Sequence, residues 1–196
     1  MSVRFYDDAI IKHFRELFDD NRIHILPVEN AIRFTAQLKQ DNVDFPLIST
    51  NRTGWSIRTD EVNWTGMRIG GFQKRNDDGT NTFAKVIPIR ITYQVDVFTV
   101  DKATGDDIIR ELAFSILSRP TLEVDIPYKL DMKHNFNIFM DGEVIDNSDT
   151  VEHINKGVLF RNTFTMYTDD AYLFASNIQN HGNITGSVHT YKKREV

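Results

Sequence analysis

Cysteine is absent from all 196 residues. No disulfide framework, thiolate metal site or cysteine nucleophile is open to this chain, and an intracellular or otherwise non-disulfide life is expected. Long apolar runs are missing too: nothing approaches the roughly 18 consecutive apolar residues of a membrane span. The first residues, Met1 to Asp8, lack the apolar core of a secretory signal. The Asn-x-Ser/Thr matches at Asn51, Asn63 and Asn183 therefore carry little weight as glycosylation sites. A basic excess is also lacking. The formal net charge of −5 argues against a protein whose main task is gripping nucleic acid, although it leaves room for nucleic acid to pass close by.

Catalytic signatures are equally scarce. The six histidines, His13, His24, His134, His153, His181 and His189, show no metal-ligand spacing with one another or with carboxylates. His13 reads as a surface or boundary residue of a helix. Neighbouring acids occur at Asp7/Asp8, Asp19/Asp20, Asp106/Asp107 and Asp169/Asp170, and a cleft could turn such a pair to acid–base work. Two of the pairs suit helix N-termini and two suit turns, which explains them without chemistry. Asn76-Asp77-Asp78-Gly79 fails as a calcium loop. Lys74 takes the first acidic position and Lys85 stands where the bidentate Glu belongs. No phosphate loop, dinucleotide fingerprint or serine elbow is present, and Gly70-Gly71 alone does not make a nucleotide site. The expectation is no enzyme, no cofactor and no metal; a small hydrolase using paired Asp residues is the alternative of a different class.

What the chain does carry is architecture. Ile87, Ile89, Ile91, Tyr93, Val95 and Val97 alternate with Pro88, Arg90, Thr92, Gln94 and Asp96, the period of a half-buried strand. After a short loop from Asp101 to Gly105, residues 106–118 change to helical period. Ile108, Ile109, Leu112, Ala113, Ile116 and Leu117 form one stripe, Thr104 with Asp107 fits a capping box, and Pro120 supplies the stop. The helix is expected to fold back over the strand. A first helix over residues 7–18 places Tyr6, Ile10, Phe14, Leu17 and Phe18 on one side. Short extended pieces follow between Ile23 and Phe34. Phe45-Pro46-Leu47-Ile48-Ser49 reads as a short strand at an edge or just entering the sheet.

Further strands are predicted at Leu122–Ile126, at Phe136–Met140 with a hairpin turn at Asp141-Gly142, and at residues 158–167, where Asn162 shares a face with Phe160, Phe164 and Met166. The fold class is α+β: a mostly antiparallel sheet with two helices packed on it, one long projecting loop or hairpin over residues 51–82 and a mobile C-terminal tail. Residues 1–178 are expected to form a single domain, with 179–196 as the tail.

Two surface features could bind. Residues 51–75 interleave Trp55, Trp64 and Phe72 with Arg52, Arg58, Arg68, Lys74 and Arg75, against Asp60 and Glu61. Trp and Arg anchor interfaces more often than other residues do, and they also suit base stacking and phosphate contact. Burial of both tryptophans in the core is the competing account. Trp55, Arg58, Trp64, Arg68 and Phe72 are the candidate interface residues. The basic end, Lys192-Lys193-Arg194, suits a solubilising tail or an assembly arm.

The order of these elements is the chain's most specific signal. An N-terminal helix, the strand Phe45 to Ser49, a long insertion, the strand Tyr93-Gln94-Val95-Asp96-Val97-Phe98 and the helix from Asp106 to Ala113 follow in turn. This order resembles that of the tail terminator (tail completion) proteins of long-tailed bacteriophages, over residues 5–170. The resemblance implies a non-enzymatic virion protein of the tail and neck, made in the host cytoplasm. Such a protein closes as a ring homo-oligomer, hexameric in that family. It caps the tail tube, stops its growth and joins a head-side connector or neck protein. It also implies that DNA passes through the centre without specific binding, which an acidic subunit would favour. No catalytic residues carry over, and no membrane is involved. The long 42–82 segment and the Asn/Gly-rich tail depart from smaller members and leave open another neck, sheath-end or baseplate role.

Overall fold

The computed structural model describes residues 3–18, 23–27, 45–59, 71–75, 81–126, 133–148, 159–174 and 179–181. Within them the order is α1 (Arg4–Leu17), β1 (His24–Pro27), β2 (Leu47–Ile57), β3 (Gly71–Arg75), β4 (Asn81–Thr99), α2 (Lys102–Ser118), β5 (Thr121–Asp125), β6 (Lys133–Asn137), β7 (Phe139–Asp146), β8 (Phe160–Phe174) and β9 (Gln179–His181). The main sheet runs β1-β2-β4-β8-β7, parallel between β1 and β2 and antiparallel elsewhere. β3 and β9 pair with the first residues of β4. β5 and β6 form a separate antiparallel pair. The fold is α+β, with two helices on a mostly antiparallel sheet.

β4 is the spine because its alternation satisfies two faces at once. Ile89, Ile91, Tyr93, Val95 and Val97 are all buried and share one cluster with Tyr6, Ile10 and Phe14 of α1 and Ile108, Leu112 and Ile116 of α2. Each such side chain contributes roughly 1.5–3 kcal/mol on leaving water. The opposite face carries Arg90, Thr92, Gln94 and Asp96. A small second cluster of Leu47, Phe98 and Leu159 sits at its far end.

Several local expectations need correcting. α2 begins four residues earlier than its stripe suggests, at Lys102, and no Thr104–Asp107 capping box forms. Asp101 is the N-cap: its backbone is extended and its carboxylate accepts the Thr104 N–H at 2.8 Å. Gly105, expected in the loop, lies inside the helix, where a Cβ would come within 3.1 Å of both Asn162 and Thr99. A close approach of helix to sheet, rather than a turn, accounts for glycine there: a Cβ would have to push these two side chains back by a few tenths of an ångström. Asp106 and Asp107 consequently leave the first turn. Leu117 leaves the buried stripe altogether and is 76% exposed.

Asp141-Gly142 makes no hairpin turn. Met140 pairs with Met166 and Val144 with Phe164, so residues 141–143 hold a bulge inside β7. The expected strand over Phe136–Met140 divides at Ile138, whose N–H donates to Pro120 O at 2.8 Å. Asp169 and Asp170 lie within β8 rather than in a turn. That strand runs on to Phe174 and bulges where Thr168 and Ala171 face Ile91 and Ile89. β2 continues through Ile57, paired with β4 and bulged at Thr53, so 51–57 belong to the sheet. Residues 71–75 pair with 81–85 as hairpin arms. Of the expected tail, residues 179–181 form β9 and the rest lies outside the described residues.

Candidate docking surface

β2 outruns its neighbour. β1 pairs only with Leu47–Thr50, so among the described residues Asn51–Ile57 is paired on the β4 side alone. Trp55 lies opposite Ile91 and Ile57 opposite Ile89. Both therefore share the helix-bearing face, beyond the reach of α1. Trp55 is 50% exposed and Ile57 40% exposed. Trp55 is therefore not a core residue.

The bases beside them are held in place. Arg52 Nη1 donates to Asp7 Oδ2 at 2.8 Å, and the Tyr93 hydroxyl donates to Asp7 Oδ1 at 3.0 Å. This ties the start of α1 to the β2–β4 ladder. Burial raises the Asp7 carboxyl above its ordinary range; the Arg52 charge and the Tyr93 hydrogen bond only partly offset it. Burial first, and the Asp7 charge second, push the Tyr93 phenol well up. Arg58 donates from Nη1 to the Asp169 carbonyl at 3.2 Å, and its N–H reaches Pro88 O at 3.0 Å. Arg90 grips Asp169 through two bonds, Nε to Oδ1 at 2.5 Å and Nη2 to Oδ2 at 2.8 Å. Those bonds hold the Asp169 carboxyl below its usual range. The Arg90 guanidinium lies 4.8 Å from the centre of the Tyr167 ring, which stacks on Phe139 at 5.4 Å. Arg90, Tyr167 and Phe139 thus cross three strands on the open face.

Of the five candidate interface residues, the structure brings Trp55 and Arg58 to one sheet edge. Trp64 and Arg68 lie outside the described residues. Phe72 falls in β3 opposite Ala84, its side chain outside them as well. Ile57 and Phe139 were not singled out by the sequence. Ile57 falls in the segment read as a projecting loop or hairpin and Phe139 within a predicted strand, and only the ends of their neighbours expose them.

Two of the acid pairs, Asp7/Asp8 and Asp169/Asp170, are divided rather than joined. Asp7 turns to Arg52 while Asp8 lies 4.0 Å from Arg4, and Asp107 pairs with Arg110 at 2.9 Å. Asp170 accepts from Asn137 Nδ2 at 2.7 Å on the side away from Asp169's partner, because the β8 bulge sends the two side chains to different neighbours. Asp19 and Asp20 lie outside the described residues. Among the described residues no three His, Asp or Glu gather as a metal-ligand set, and no helix is long and apolar enough to cross a membrane.

A cleft of about 430 Å³ opens between α1, the end of α2 and β5, lined by Lys12, His13, Glu16, Ser115, Arg119 and Glu123 among others. Ser115 Oγ and His13 Nε2 are 3.3 Å apart there. Burial lowers the His13 imidazole, favouring its neutral form. Glu16, which could orient a base, instead lies 3.7 Å from Lys12.

No protein-family model matches the chain, and no curated protein matches it. Among solved structures, the chain is similar to the sheath/tube terminator of an extracellular contractile injection system, PVC, seen by cryo-electron microscopy in its extended state. The TM-score is 0.51 at 7% sequence identity, covering all of this chain and 65% of the other. The chain thus spans just under two thirds of that terminator's length, and what the two share is the fold.

Proposed function

We propose that this chain is a tail-tube terminator: a structural protein that closes as a ring on the end of a phage-type tube and stops its growth. In a virion the ring, hexameric in this reading, joins the tail to the head-side connector and lets DNA through its centre. The observation that carries the proposal is the shared fold. A sheath/tube terminator matches this chain from end to end at a TM-score of 0.51. The element order that resembles phage tail terminators supports the same reading. So does a surface built for contact, with a half-exposed Trp55 and Ile57 beside the anchored Arg52 and Arg58. That edge, with Trp64, Arg68 and Phe72 from the same stretch of chain, is the docking surface in this reading. Tube and sheath subunits are the partners it implies. The acid pairs lend no support to hydrolysis, since Asp7 and Asp8, and likewise Asp169 and Asp170, turn to different partners.

The experiment adds purified protein to tube subunits as they polymerise and measures tube lengths by negative-stain electron microscopy. A terminator shortens and narrows the length distribution and decorates one tube end. Unchanged lengths with undecorated ends contradict the proposal.

A further inference from the structure

We infer that the edge formed by β7 and α2 is the counterpart of the β2 edge, and that it receives β2 of a second copy of this chain. The inference rests on the ring reading above and names the seam of that ring.

Among the described residues β7 ends the sheet on the side opposite β1 and the stretch of β2 that β1 leaves uncovered. α2 runs antiparallel beside β7 and is tied to it at both ends. Lys102 Nζ lies 3.7 Å from Asp146 Oδ2, and just past the far end of the helix Pro120 O accepts the Ile138 N–H. Ser115 of α2 faces His13 of α1, so Leu117, about 200° further round the helix, lies on the side of α2 away from α1. Leu117 is 76% and Phe114 65% exposed. Val144, on the helix-bearing face opposite Phe164, is exposed as well, as is Ile145 on the other face of β7. A chain that buries 0% exposed Leu112 on the same helix leaves two large apolar groups of that helix in water. Such a patch marks a contact surface.

Three observations select a second copy as the occupant. The two apolar edges are different surfaces at opposite sides of one sheet, which is the requirement for a heterologous contact that closes into a ring. Their charges remain complementary once the pairs within each edge are set aside: β7 carries Asp141 and Glu143 beyond the Asp146–Lys102 pair, whereas Arg58 and Arg90 at the end of β2 gather around a single acid, Asp169. Strand direction also agrees. β7 is parallel to β4 and β2 antiparallel to it, so a copy continuing the sheet sets its β2 antiparallel to β7. Trp55 and Ile57 then lie on the same side of the sheet as Val144 and Leu117.

The absence of natural cysteine makes the test direct. Full-length Ser56→Cys and Glu143→Cys proteins are treated with a short bis-maleimide, separately and mixed, at concentrations up to the millimolar range and on tube ends. The seam predicts a dimer in the mixture, none from either variant alone, and a ladder of oligomers from the double variant. Phe114→Asp with Leu117→Asp should weaken the product's formation about thirtyfold, the usual effect of losing a central anchor. Cross-linking of either single variant with itself indicates a two-fold contact and overturns the inference. So does a chain that yields no cross-link at any concentration or on tubes, in which case the charges and bulges of these edges only protect them from pairing. Capped tubes without the Ser56–Glu143 product would remove the seam and leave the terminator reading. The product formed by a chain that caps nothing would do the reverse.

Discussion

Leu112 and Leu117 lie five residues apart on α2, and the helical period assigns both to the same apolar stripe. The structure separates them completely: Leu112 is 0% exposed and Leu117 76%. Leu112→Ala removes three carbons from the cluster that joins α1, α2 and β4, a change that costs about 2–5 kcal/mol depending on how far the site collapses. In a domain of this size each kcal/mol lowers Tm by about 2–4 °C, so a fall of roughly 4–20 °C is expected. Leu117→Ala should stay within about 0.5 kcal/mol of the parent in dilute, monomeric protein. Urea titration of both variants at micromolar concentration gives the comparison, with an unchanged slope showing that only stability has moved. Equal losses, or a larger loss at Leu117, would refute the facing of α2 and the docking patch built on it.

Asp101→Ala should lower the melting temperature more than Asp107→Ala, because Asp101 caps α2 while Asp107 lies beyond its first turn; thermal melts of the two variants decide this. Stability should rise as pH climbs up to and just past 6.5. Burial depresses His13 and His134 below their ordinary value of 6.5, so the unfolded chain binds protons there that the folded one refuses, and stability falls as pH drops through that range. Urea midpoints that do not change across this range would contradict that burial. Trp55→Ala should cost less stability than Leu112→Ala and weaken docking to tubes or to neighbouring subunits; a loss of stability on the core scale would return Trp55 to the interior. Purified protein should show no turnover on ester, phosphoester, glycoside or peptide substrates, with or without divalent metals, and activity abolished by Ser115→Ala or by Asp→Asn in one of the pairs would contradict the structural role.

The spine of the fold was legible because β4 alternates over its whole half-buried length and α2 repeats its apolar positions at Ile108, Leu112 and Ile116. Both signals are local and periodic. What was not legible depended on context that a period does not carry. Asp141-Gly142 has the chemistry of a turn, yet the same residues fit a bulge once β8 pairs on either side of them. Gly105 marks a loop in isolation and a close helix–sheet approach in the fold. Leu117 completes a stripe on paper, but no neighbouring element reaches that flank among the described residues. At the candidate surface, Trp55 and Arg58 were visible from composition. Their geometry was not, since it rests on Asp7 meeting Arg52 and on Asp169 meeting Arg90, contacts 45 and 79 residues apart in the chain. Ile57 and Phe114 carried no signal at all, because exposure of an apolar residue is decided by where the neighbouring elements end.

The central claim is termination, and tail length tests it most directly. Particles assembled without this protein and imaged by electron microscopy should carry tubes of uncontrolled length or tails that never join heads, with normal length restored by supplying the chain. Tails of normal length, joined as usual in its absence, would contradict it.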